Sequence, residues 1–226
     1  MTFQTSTALN SDVATRPRKA FPRPQMGIMD KFIVENGLYA EGYEYVCGVD
    51  EVGRGPLAGP VVCAAVIMPR GDAIEGVDDS KKLTAKRREA LAEEIKRRAV
   101  ALAICRVEPD IIDKINILQA TRLCMKNAVE SLSPPPGFVL TDGNMTLDIS
   151  LPQRSIIKGD ANCYCIGAAS IVAKVARDEM MREYAAIYPG YGFERNAGYG
   201  TAEHIAAIKE RGLTPVHRRS FTKKWQ

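Results

Sequence analysis

The stretch Gly48–Pro60 constrains the fold more than any other part of the chain, because it sets two adjacent carboxylates between two apolar runs. The first run ends at Asp50 and Glu51, and a Gly-Arg-Gly loop at 53–55 leads to the second run at 61–68. This order predicts a strand, a charged tip, a tight turn and a second strand. Near-continuous apolar strands are typical of a sheet that is covered on both faces.

The Gly-Arg-Gly loop suits a place where a divalent cation and a phosphate meet. Gly53 and Gly55 permit positive φ and let another backbone come close, and Arg54 lies between them as a fixed cation. Hard cations take oxygen ligands, whereas phosphates take arginine and backbone N–H groups. A solvated hairpin tip is the alternative, because acidic residues and glycine are common in turns.

The composition is that of an ordinary globular protein, with 46% hydrophobic and 26% charged residues among 226. A net charge of +4 does not by itself indicate nucleic acid, so the positions of the basic residues matter more. No apolar stretch reaches the roughly 20 residues of a membrane span, and no signal peptide opens the chain. We expect a soluble cytoplasmic monomer.

The six cysteines favour reduced thiols rather than disulfides. Cys163 and Cys165 are too close in sequence to form a zinc site by themselves, and no second pair or flanking histidine completes one. Zinc is therefore not expected from the sequence.

Residues 1–40 show no steady period and are predicted to be a mobile N-terminal tail, with an organelle-targeting peptide as the alternative. Residues 41–226 are predicted to form one domain, whose helical C-terminal region begins near 188. Hydrophobic periodicity and turn residues place further helices at 85–99, 117–131, 163–187 and 201–211, and further strands at 100–107, 138–141 and 155–158.

Three predicted strands end in carboxylates, at Asp50-Glu51, at Asp142 and at Asp160. If these strands are neighbours, their ends lie about 5–10 Å apart and the acids converge at one edge of the sheet. Such a cluster repels itself unless cations occupy it, and all-oxygen ligands favour Mg²⁺ or Mn²⁺. Taken alone, Asp142 is also typical of a turn and Asp160 of a helix cap. Adjacent residues of a regular strand point to opposite faces, so either the glycine loop bends the chain at Asp50 and Glu51, or Glu51 reaches round to the site.

Seven motifs together closely resemble ribonuclease HII, the type 2 ribonuclease H. They occur in the family's order over about residues 43–222, and residues 1–40 lie outside the resemblance. The motifs are Gly48–Pro60, Asp79–Leu83, Thr141–Asn144, Lys158–Ala161, Ala168–Val175, Gly198–Thr201 and His217–Phe221.

The resemblance implies a ribonuclease H-like fold, with a mixed sheet flanked by helices and a helical C-terminal region. It also implies a metal-dependent endonuclease that cuts the RNA strand of RNA/DNA hybrids. A single ribonucleotide in DNA would be nicked on its 5′ side, leaving 3′-hydroxyl and 5′-phosphate ends in ribonucleotide repair. The residues that match the family's functional positions are Asp50, Glu51, Asp142 and Asp160 as catalytic metal ligands, and Gly53, Arg54, Gly55, Tyr199, Lys81 and Lys82 toward the substrate.

Two other functions remain open at this stage. Another nuclease of the same fold is the nearer alternative, because acidic clusters on such sheets serve several reactions. A non-catalytic nucleic-acid-binding protein is the other, although uncompensated carboxylates would repel the phosphates that it must hold. His204 and His217 are interpreted as packing or phosphate-contacting residues, and Arg218 and Arg219 as phosphate contacts.

Overall fold

The computed structural model describes residues 28–77 and 83–225, and a five-stranded mixed sheet forms their centre. The strands are β1 (Val46–Val52), β2 (Val61–Ile67), β3 (Ala101–Val107), β4 (Phe138–Asp142) and β5 (Gln153–Ile156). Their order in the sheet is β3-β2-β1-β4-β5, with antiparallel pairing from β1 to β2 and from β2 to β3. The pairs β1–β4 and β4–β5 are parallel.

Helices cover both faces of this sheet, which confirms the predicted ribonuclease H-like architecture. The helices are α1 (Ile33–Ala40), α2 (Ala85–Arg98), α3 (Pro109–Glu130, kinked at Asn116), α4 (Gly159–Asn162), α5 (Tyr164–Ile187), α6 (Phe193–Asn196), α7 (Ala202–Arg211) and α8 (Arg219–Thr222). The helix α3 packs on β2 and β3 from one side, whereas α5 crosses β1 and β2 on the other side with α2 beside it.

The structure differs from the predicted tail over residues 28–40. A short 3-10 helix, Ile28–Phe32, leads into α1, and both Phe32 and Leu38 are buried. The Phe32 ring stacks on Tyr164 with 4.4 Å between centroids. This short segment is held by tertiary packing, which sequence periodicity does not report. Residues 1–27 lie outside the described part of the chain.

Two element boundaries also differ from the prediction. The strand β5 covers 153–156 instead of 155–158, because it is a partly exposed edge strand and carries polar residues. The predicted helix at 163–187 is preceded by the separate turn α4, which Lys158 introduces with a left-handed φ of 56°.

The C-terminal region packs against the sheet domain through its own apolar cluster, which includes Leu57, Met181, Tyr191, Phe193 and Ile208. An isolated bridge joins Ala58 to His217, so the region lies directly against the loop that follows β1. Among the described helices, none combines the length and apolarity that crossing a bilayer demands.

Candidate active site

The topology brings the four predicted acids together at one edge of the sheet. Because β1 and β4 are parallel neighbours, Asp50, Glu51 and Asp142 all lie at the same strand ends. Asp160 lies in α4, and the backbone N–H of Gly159 donates to Asp142 Oδ1 at 2.6 Å. That hydrogen bond holds the start of α4 against the end of β4.

An open cavity of about 280 Å³ lies over this edge. Three of the acids line it, namely Asp50, Glu51 and Asp142, and Asp160 interacts with Asp142 electrostatically without lining the cavity. The other lining residues are Val52, Ser170, Lys174 and Tyr199.

Asp50 and Glu51 reach the cavity from different sides of the sheet, so no sharp bend of β1 is needed. Val49 packs in the core cluster under α3, and by strand alternation Glu51 follows it on that side. Asp50 points instead toward α5, where it is hydrogen-bonded with Ser170. The cavity is at the sheet edge, where both faces are accessible.

The acids raise one another's pKa. Burial raises the pKa of Asp50 well above its usual range, and the neighbouring charges of Glu51 and Asp142 add to this effect. Burial also raises the pKa of Glu51, although the nearby Arg54 opposes the shift. The pKa of Asp142 is raised by burial and by the charge of Asp160. Negative charge is therefore unfavourable at this site in the protein alone, and Arg54 offsets only part of it.

The donor set fits a hard divalent cation. All candidate ligands are carboxylate oxygens, and Glu51 Oε2 is buried without a hydrogen-bond partner. Within the described residues, no three of the four acids have oxygens that all lie within 4.8 Å of one another. The acids are thus neighbours around an open cavity rather than a closed cage.

The glycine loop takes its shape from Gly53 more than from Gly55. Gly53 has a φ of +92°, and a Cβ there would lie 2.2 Å from Arg177 Nε. Gly55 does not adopt positive φ, and a Cβ there would meet only the Tyr199 ring at 3.6 Å. Arg54 is partly exposed and lies 3.5 Å from Glu51 Oε1.

Arg218 and Arg177 are buried and hold this loop by its backbone. Arg218 donates to the carbonyl oxygens of Gly53, Arg54 and Gly59 at 2.5–3.0 Å. Burial lowers the pKa of Arg218 to about 9, and the positive charge of Arg177 adds to the shift. The prediction that Arg218 contacts phosphate is wrong, because its side chain is fully buried.

Arg177 repeats this arrangement from α5. Its guanidinium donates to the carbonyl oxygens of Ala58, Pro60 and Ala197 at 3.0–3.2 Å. The first two acceptors belong to the segment that joins the glycine loop to β2, and the third precedes Tyr199 by two residues. One side chain therefore links both loops that flank the cavity.

Tyr199 lies at the rim of the cavity with 46% of its surface exposed. Its backbone is fixed by a chain of two buried histidines. The Thr214 N–H donates to His217 Nδ1, so His217 carries its proton on Nε2 and donates it to His204 Nε2 at 3.0 Å. His204 Nδ1 then donates to the Tyr199 carbonyl at 2.8 Å. Both histidines pack in the interior, and neither is exposed to a phosphate.

Sequence reasoning missed specific roles for Ser170, Lys174, Arg177 and Arg218. Ser170 and Lys174 are four residues apart on one face of the mostly apolar α5, and that spacing is the signal that could have found them. Lys174 Nζ donates to Asp178 Oδ1 at 2.6 Å. The predicted substrate residues Lys81 and Lys82 lie outside the described residues.

Comparisons with known proteins agree with this arrangement. The family model for ribonuclease HII matches residues 47–224. Ribonuclease HII from Leuconostoc mesenteroides is 52% identical over 193 residues, which are 85% of this chain and 76% of that protein. Ribonuclease HII from Enterococcus faecalis is also 52% identical, over 83% of this chain and 73% of the relative.

Solved structures show the same fold. Ribonuclease H2 from Pyrococcus horikoshii OT3 superposes with a TM-score of 0.68 at 28% identity, covering 80% of this chain and 96% of that one. The Bst-RNase HIII structure in complex with Mn²⁺ has a TM-score of 0.61 at 21% identity, covering 80% of this chain and 68% of that one, and supports the fold alone. The chain therefore belongs to the ribonuclease HII family of endonucleases.

Proposed function

We propose that this enzyme hydrolyses the RNA strand of RNA/DNA hybrids and also nicks duplex DNA on the 5′ side of a single ribonucleotide. Its products would carry 3′-hydroxyl and 5′-phosphate ends, as ribonucleotide removal from DNA requires. The observation that carries the proposal is the joint lining of one cavity by three carboxylates and the exposed Tyr199.

Mg²⁺ or Mn²⁺ would be held by Asp50, Glu51, Asp142 and Asp160. The buried and unpartnered Glu51 Oε2 and the raised carboxylate pKa values support this assignment. When bound, such a cation lowers the pKa of water and neutralises charge on the leaving oxygen.

The protein's own groups would orient the acids and the substrate. Ser170 hydrogen-bonds with Asp50 and limits its rotation. Arg54 has an exposed guanidinium beside Glu51 and can contact a phosphate of the bound strand through its planar fork. Lys174 adds a positive charge at the cavity wall.

The 2′-hydroxyl is the one chemical difference between a ribonucleotide and its deoxyribonucleotide neighbours. Tyr199 and Gly55 face each other across a short gap, with the ring 3.6 Å from the place of a Cβ on Gly55. A sugar can stack on the ring while its hydroxyl meets the backbone of the exposed Gly55, which has no side chain to hold it away. Gly53 would act by fixing the loop, because it is buried against Arg177 and its carbonyl oxygen accepts from Arg218. Together with Arg54, these residues would recognise the junction between the ribonucleotide and the deoxyribonucleotide that follows it.

Four 5′-labelled duplexes test the proposal: DNA/DNA, RNA/DNA, RNA/RNA, and DNA with one ribonucleotide. We expect cleavage of the second and fourth only, with a divalent cation and not in chelator. Asp50→Asn purified in the same way controls for a contaminating nuclease. Cleavage of all four duplexes, or cleavage in chelator, would contradict the proposal.

Tyr199 variants test the recognition step. Tyr199→Phe should retain much of the activity because stacking remains, whereas Tyr199→Ala should lose most activity on the single-ribonucleotide duplex. Melting curves accompany both variants. Equal losses on the hybrid and the single-ribonucleotide duplex, with a large fall in stability, would assign Tyr199 to packing alone.

A further inference from the structure

A second group of side chains with ligand atoms suited to a metal ion is buried in the described part of the chain. Glu35 on α1 lies beside Cys163 and Cys165, and the three offer ligand atoms that all lie within 4.8 Å of one another. Glu35 and Cys165 are 130 residues apart in sequence, so the fold alone brings the group together. It is the one such group among the described residues.

The group contains polar atoms whose requirements the surrounding protein leaves partly unmet. The Cys165 N–H donates to Glu35 Oε1 at 2.8 Å, but Glu35 Oε2 is buried without a hydrogen-bond partner. The Glu35 side chain is only 2% exposed. A buried carboxylate with a free oxygen is costly unless a cation or a donor satisfies it.

The two sulfur atoms already have the spacing of a zinc site. They lie 3.7 Å apart. Tetrahedral zinc with Zn–S bonds of about 2.3 Å places two thiolate sulfurs about 3.8 Å apart. A disulfide would need the same atoms at about 2.05 Å. The thiols can therefore bind one ion together with little movement.

We propose that Glu35, Cys163 and Cys165 form a binding site for one Zn²⁺ ion, separate from the carboxylate site. Binding would release the two thiol protons, because thiolates are the ligands. Tyr39, which is partly exposed, interacts electrostatically with all three groups. The fourth position is left to water.

Ligand softness separates the two sites. Thiolates select zinc, whereas an all-carboxylate set suits Mg²⁺ and Mn²⁺. A zinc ion here would tie α1 to the junction of α4 and α5, three residues after Asp160. Zinc was not expected from the sequence because no second cysteine pair or flanking histidine completes a site with Cys163 and Cys165, and Glu35 supplies the further ligand.

Co²⁺ added to the full chain, after treatment with chelator and reductant, tests the site through thiolate-to-cobalt charge-transfer absorption. The carboxylate site has no sulfur and cannot produce this band. We expect one equivalent of Co²⁺ to produce the band and one equivalent of Zn²⁺ to remove it. Cys163→Ser and Cys165→Ser should abolish the band, and Glu35→Gln should weaken Co²⁺ binding at least about tenfold.

Two control variants should keep the band. Cys124→Ser alters a buried thiol on the other face of the sheet, and Asp50→Asn alters the carboxylate site. If the Cys163 or Cys165 variants do not fold, the site is tested instead by alkylating the cysteine thiols of the wild-type protein in mild denaturant, with and without Zn²⁺. Zn²⁺ should protect the peptide that contains Cys163 and Cys165, but not the Cys124 peptide. No charge-transfer band, or equal alkylation of both peptides with and without Zn²⁺, would overturn the proposal.

Discussion

Acidification should weaken the C-terminal region through its buried histidine pair. Burial and the neighbouring His204 lower the pKa of His217 from 6.5 to about 4, and burial lowers the pKa of His204 as well. Unfolded histidines therefore bind protons at a higher pH than folded ones do. Stability from this pair is complete above about pH 6.5 and is lost as the pH falls toward 4.

The size of the effect follows from the two pKa values of His217. With about 4 in the folded chain and 6.5 in the unfolded chain, lowering the pH from 7 to 5 removes about 2 kcal/mol of unfolding free energy. The carboxylates act in the opposite direction. Asp50, Glu51 and Asp142 have raised pKa values, so protonating them relieves repulsion and stabilises the fold.

Comparing the wild type with His217→Gln separates these two contributions. Urea unfolding at pH 7 and pH 5 should show that the wild type loses about 2 kcal/mol more than the variant between the two pH values. The carboxylate contribution is common to both proteins and cancels. Equal losses in the two proteins would refute the neutral relay from His217 through His204 to the Tyr199 carbonyl.

Three further predictions concern the cavity and its supporting loop. Asp50→Asn should abolish cleavage at every Mg²⁺ or Mn²⁺ concentration, and turnover at the wild-type rate would contradict a mechanism that depends on the four acids. The same substitution should raise the unfolding free energy at pH 7, because it removes repulsion between carboxylates. Arg218→Met should lower the free energy of unfolding, measured with urea, by about 3 kcal/mol or more because three carbonyl oxygens lose their donor. Arg219→Met, at an exposed position, should lower it by less than about 0.5 kcal/mol, and similar losses for the two variants would contradict the role of the buried guanidinium. Gly53→Ala should lower the melting temperature and activity because its φ is +92°, while Gly55→Ala should be tolerated in folding; equal melting temperatures would contradict this reading of the loop.

The parts of the fold that local patterns specify were predictable. The strand, acidic tip and turn at 45–60 follow from apolar runs and glycine. The end of β4 at Asp142 follows from an apolar strand before Asp-Gly. The residues 28–40 were not predictable, because they are helical through packing of Phe32 and Leu38 against distant partners.

The part of the candidate site that the sequence predicts is the set of four acidic residues. Four acids follow strand ends or open a helix turn, so their convergence follows from sheet geometry. Arg218 has the same chemistry as its neighbour Arg219, and the sequence does not show that Arg218 is buried against three carbonyl oxygens while Arg219 is exposed. The sequence around Glu35 does not indicate that Cys163 and Cys165 lie beside it, because Glu35 and Cys165 are 130 residues apart in the chain.

Two adjacent C-terminal residues position both sides of the proposed ribonucleotide-binding site, namely the glycine loop and Tyr199. Arg218 holds the carbonyls of the glycine loop, and His217 acts through His204 on the carbonyl of Tyr199. The separation between Gly55 and the Tyr199 ring therefore depends on where the segment 217–218 lies. Because both contacts act on backbone atoms, the exposed side chains Arg54 and Tyr199 remain free to adjust to a substrate. The helical C-terminal region is thus a structural support of the candidate cavity.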